Sequence, residues 1–114
     1  MHTEPVNRVI ALKIDPAVVA ICNGELDART RIIPARDAHA ACRMIASGGT
    51  AVVVSRATPF WDMHVVRDHA ERHRLPVLAV DADSMPFELV REVEAAVANA
   101  RRRRDSTPPP PSRR

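Results

Sequence analysis

Ser55 closes the apolar run "AVVVS" (51–55), with Pro59 four residues on and Asp62 three after that. In α/β proteins the carboxyl end of a buried strand is where ligands and chemistry gather. A serine there can act as a nucleophile, accept a phosphoryl group from a partner kinase, or simply tie a turn. The nucleophile reading lacks the Gly-x-Ser-x-Gly elbow that exposes such a hydroxyl. The switch and the turn therefore remain.

Two further groups have chemistry-bearing spacing. His69 and His73 stand four residues apart, on one helical face, with His64 and Asp68 nearby. That spacing suits a transition metal. No third ligand presents itself, however, and "HAERH" is not the His-Glu-x-x-His order of zinc peptidases. A solvated helix face is the plainer reading, and no metal site is expected. Arg101, Arg102, Arg103 and Arg104 form a run that can neutralise phosphates. Equally, they can stabilise the carboxyl end of a helix through its dipole. Cys22 and Cys42 lack Cys-x-x-Cys spacing and lie in apolar segments, as reduced buried thiols of a cytoplasmic protein would.

The chain that must position these residues has 114 of them, 46% hydrophobic and 27% charged, enough for one domain with its own core. No apolar run approaches the roughly 20 residues of a membrane span. The opening "MHTEPVNR" has no apolar signal-like segment. The net charge of +3 conceals an asymmetry. Residues 101–114 hold six arginines against Asp105, a local +5, which leaves the first 100 residues at −2. Phe60, Trp61 and Phe87 are the only large aromatics, too few for a base-stacking surface.

Four short apolar runs read as strands: "RVIALKI" (8–14), "RIIPA" (31–35), "AVVVS" (51–55) and "PVLAV" (76–80). Helical stretches separate them. Asp15 and Pro16 open one over 16–26, although "NG" at Asn23–Gly24 also permits a hairpin turn. Asp37 caps "AHAACRMIAS", which Gly48–Gly49 ends. Thr58 is expected to cap "PFWDMHVVRDHAERHR", and Ser84 to open "MPFELVREVEAAVANARRRR". In that last helix Phe87, Val90, Val93, Val97 and Ala100 form the expected apolar stripe. Strand and helix alternate four times, which predicts a parallel sheet with right-handed crossovers. Residues 1–6 are an extension and 7–104 the domain. The tail "DSTPPPPSRR" (105–114) has four consecutive prolines, which favour an extended polyproline conformation and disorder.

Together, "SRATPFWD", "VIALKIDPAV", "LPVLAVDA" and "MPFELVREVEAAV" resemble, in order and spacing, the receiver domains of bacterial two-component response regulators. The resemblance spans residues 7 to 100. Only Asp83 and Ser84 separate "DA" from "MP", so one βα unit of a full receiver is missing. It implies a flavodoxin-like three-layer α/β sandwich with a four-stranded parallel sheet in order 2-1-3-4. The receiver's acidic pair falls on Lys13 and Ile14, its phosphoryl acceptor on Ser55, its hydroxyl on Asp81 and its lysine on Met85. None of the five matches. Lys13 brings the wrong charge for a magnesium site, and Asp15 with Asp81 would leave one half-open.

The resemblance therefore implies a non-phosphorylatable receiver-like protein-interaction module, a small regulator in bacterial signalling, with no cofactor and no catalytic residue. Alternatives are a regulator that contacts nucleic acid through the arginine tail, and a serine-phosphorylated switch at Ser55. The truncated sheet predicts an exposed edge at "PVLAV". It also predicts a homodimer or protein partner held through that edge and the Phe87, Val90, Val93 and Val97 stripe.

Overall fold

In the computed structural model, which describes residues 7–81 and 85–105, strands and helices alternate without exception. The order is β1 (Asn7–Leu12), α1 (Pro16–Glu25), β2 (Thr30–Ala35), α2 (Ala38–Ala46), β3 (Ala51–Ser55), α3 (Phe60–Arg72), β4 (Val77–Val80) and α4 (Pro86–Asp105). All strands are parallel, in the order β2-β1-β3-β4, the expected flavodoxin-like arrangement. Alternation along the strands sends Val9, Ala11 and Val53 into one core with α1 and α4. Ile10, Leu12, Val52 and Val54 enter a second core with α2 and α3. β3 is buried at all five positions, as a central parallel strand covered on both faces should be.

Local chemistry explains most boundaries. The Asp15 carboxylate accepts from Ala17 N at 2.8 Å and that of Asp37 from Ala40 N at 2.8 Å, each satisfying an amide that the helix cannot pair internally. β1 stops at Leu12, not at residue 14, because Lys13 turns into the left-handed region (φ 62). β2 begins one residue earlier than expected and β4 one later, while α2 ends at Ala46 ahead of Gly48 (φ 115).

Three points are settled by the structure. The helix expected over 16–26 forms and the alternative hairpin does not: Asn23 and Gly24 lie inside α1, which closes with Leu26 N on Cys22 O. From there the Asn23 amide donates to Ile32 O (2.9 Å) and accepts from Ile32 N (2.7 Å), acting as a surrogate neighbour on the outer edge of β2. Pro34 lies two residues along that same edge, where its missing N–H costs the sheet nothing. Thr58 does not cap α3. Pro59 holds the cap position without a side-chain bond, and Thr58, whose N–H turns back to Ser55 O, has its side chain buried.

The third point, a correction like that at Thr58, concerns α4. Its buried face is Leu89, Val90, Val93, Ala96 and Val97, packed against α1 and the sheet, with Ala100 buried one turn on. Phe87 is 56% exposed, since it stands about 120° round the helix from Val93. Helix α4 continues through Asp105, one residue past the expected domain end. Ser84, the extension 1–6 and the rest of the tail lie outside the described residues, as do the side chains of Arg101, Arg103 and Arg104. No described helix is long and apolar enough to cross a membrane.

Candidate functional site

The site to test is the carboxyl edge of the sheet, where β1 and β3 part company in connectivity and ligands of such folds usually sit. A cavity of about 210 Å³ opens there. Lys13, Ile14 and Asp15 line it from the β1–α1 junction, Val18 from α1, Val80 from the end of β4 with Asp81 just beyond it, and Leu89 from α4. The fold thus unites four of the residues singled out from the sequence, Lys13, Ile14 and Asp15 from one segment and Asp81 from another. It leaves out two. Met85 is exposed, and Ser55 lies beneath the surface at 2% exposure, outside the cavity lining.

Each member of this set is held in a way that bears on its chemistry. Ser55 Oγ accepts from Ala57 N at 3.1 Å, a local bond that ties the turn after the strand. Arg56, the next residue, reaches over the end of β4. Its Nε donates to Ala79 O at 3.3 Å and lies 3.6 Å from Asp81 Oδ1. Both partners of that ion pair are largely exposed, so it contributes little to stability. Lys13 holds a left-handed backbone that few residues with a Cβ adopt. The cavity wall therefore carries one ammonium and two carboxylates over a floor of Ile14, Val18, Val80 and Leu89. With Arg56 beside Asp81 the charges at this rim balance, so it offers no net positive charge to attract a phosphoryl dianion.

The other groups are dispersed. The His69 ring pairs its Nδ1 with Val65 O (3.3 Å) on the exposed side of α3, and Asp68 pairs with Arg72 at 3.1 Å. Among the described residues no three His, Cys, Asp or Glu side chains cluster closely enough to hold a metal ion. Cys22 and Cys42 are both buried free thiols, in the two different cores. Burial pushes both thiols above their ordinary range, and Asp68 adds to the effect on Cys42. Neither is primed as a nucleophile.

One feature of this end of the molecule is not expected from the sequence reading. Phe60 and Trp61, in the first turn of α3, are 76% and 72% exposed. Helical periodicity carries the signal: the two positions lie about 120° and 140° round from the buried Val66. His64 joins them, its ring 6.2 Å from Phe60 and 6.1 Å from Trp61. The result is a pre-assembled group of three rings on the surface. No protein-family model, curated protein or solved structure matches this chain.

Proposed function

We propose that this protein is a receiver-like protein-interaction module that does not take up phosphoryl groups, working as a small regulator in signalling. The observation that carries the reading is Ser55. It occupies the place of a receiver's acceptor, yet it is a buried serine whose Oγ accepts from Ala57 N. Lys13 stands where an acid would hold Mg²⁺, and the exposed Met85 replaces the lysine that would bind phosphoryl oxygens. With the chemistry replaced and the scaffold kept, recognition is what the carboxyl edge can still perform. The exposed rings of Phe60 and Trp61 at that edge support it, because aromatics are the residues that anchor protein interfaces.

Amide NMR spectra recorded with acetyl phosphate and Mg²⁺ test the reading. Resonances of residues 13–15 and 55–58 should stay in place. Site-specific shifts there would reinstate receiver chemistry and overturn the proposal.

A further inference from the structure

All three large aromatic side chains of this chain are on its surface: Phe60 at 76% exposure, Trp61 at 72% and Phe87 at 56%. Aromatic rings are the largest apolar groups available, and leaving them in water forgoes their burial. Phe60 and Trp61 meet edge to face at 6.0 Å, and the His64 ring stacks on Phe60 at 6.2 Å. The rings are thus held together as a platform before any ligand arrives. A platform of exposed rings carrying an indole N–H suits a polyproline helix, which offers flat pyrrolidine rings and unpaired carbonyls.

The chain itself carries one such ligand, Pro108–Pro111, flanked by arginines on both sides. We propose that the Pro108–Pro111 segment of a second copy docks on the Phe60–Trp61–His64 platform, joining copies head to tail.

Reach excludes docking within one chain. Helices α3 and α4 both start at the carboxyl edge of the sheet, and α4 then runs 20 residues away from it. Its end at Asp105 is about 30 Å from the level of Trp61, and on the opposite face of the sheet. Six residues separate Asp105 from Pro111, at most about 22 Å of fully extended chain. The tract therefore meets a platform on another copy and not its own. Charge favours the same pairing. The tail region carries +5 and the remainder −2, so tails repel one another and are drawn to bodies. Reciprocal exchange between two copies closes the assembly, whereas successive exchange extends it.

This inference rests on the reading of the domain as an interaction module, and it is tested on the full chain. Sedimentation velocity should show association that grows with concentration. An added peptide of residues 105–114 should reverse it and shift the emission of Trp61, the only tryptophan. Trp61→Ala should weaken association about tenfold or more, as should joint replacement of Pro108 to Pro111 by serine. Mixing those two variants should restore a one-to-one complex, because each supplies what the other lacks.

Association undiminished in both variants would overturn the proposal. So would a Trp61 response just as large to a peptide with its prolines replaced, since charge alone would then explain it. A chain that stays monomeric at high concentration and ignores the peptide overturns it too. If Trp61→Ala then abolishes capture of a different protein, the interaction reading stands without this occupant.

Discussion

Helix α4 and the first turn of α3 both carry apolar side chains that the sequence offers for contact, and the fold uses them in opposite ways. On α4, Val90, Val93 and Val97 are 8%, 0% and 7% exposed, sealed against α1 and the sheet. On α3, Phe60 and Trp61 stand in solvent, while Val66 and Ala70 make the helix's contact with the second core. The regular stripe is structural and the bulky pair is not. The lesson concerns volume. Each helix lies against a four-stranded sheet faced by valine, isoleucine, leucine and alanine, and such close layers accept small and β-branched side chains more readily than rings. The truncated sheet bears on the same contrast. α4 folds back on the α1 side, leaving Val77, Leu78 and Ala79 of the edge strand half-buried, so its stripe is not free for a neighbour.

The contrast breaks most easily at Val93. A carboxylate at this fully enclosed position, in Val93→Asp, would have no partner, and should cost about 4 kcal/mol or more. That is a large part of a small domain's total stability, so the variant should melt near or below room temperature by circular dichroism. A folded variant that had merely lost a binding partner would place the α4 stripe on the outside and reverse the comparison.

A smaller effect is expected at Thr58, in the turn leading into α3. Its Oγ1 is buried and has no hydrogen-bond partner among the described residues. Thr58→Val keeps the shape and removes the unsatisfied hydroxyl, so stability should hold or rise by up to about 1 kcal/mol. Urea unfolding measures it. A loss of more than that would show that the hydroxyl is satisfied in solution and that this turn depends on it.

The smallest effect should come from the rings. Trp61→Ala removes the largest side chain in the protein, yet stability should change by no more than about 0.5 kcal/mol, because the indole is mostly in water. Thermal melts repeated over a dilution series, so that any self-association is separated out, provide the check. A drop approaching that of a core truncation would place Trp61 in the folding core and remove the ground for treating α3's first turn as a binding surface.

How much of the site was legible follows from the reach of each signal. Lys13, Asp15 and Asp81 could be proposed as neighbours because strand ends in a parallel sheet share one edge, and that inference needs only strand order. Whether Ser55 lined that cavity was not legible. Its place depends on the depth to which β3 is buried and on the bond its Oγ accepts from Ala57 N. The aromatic trio was half legible. Helical phase places Phe60 and Trp61 off the buried row, but their packing against His64 is a property of the folded surface.

By itself the sequence determined the alternation of strands and helices, their caps at Asp15 and Asp37, and an all-parallel sheet in the order β2-β1-β3-β4. These follow from local periodicity, hydrogen-bonding side chains at helix ends and the handedness of crossovers, which act within a few residues or through general rules of chain connection. Tertiary structure alone decided that the Asn23 side chain pairs with the edge of β2. It also turned Thr58 inward instead of letting it cap α3, and gave Leu89 the buried place expected for Phe87. In each case the local preference is worth about 1 kcal/mol. Matching a helix to a sheet face involves several buried side chains at once, each contributing about 1.5 to 3 kcal/mol. The larger sum set the outcome.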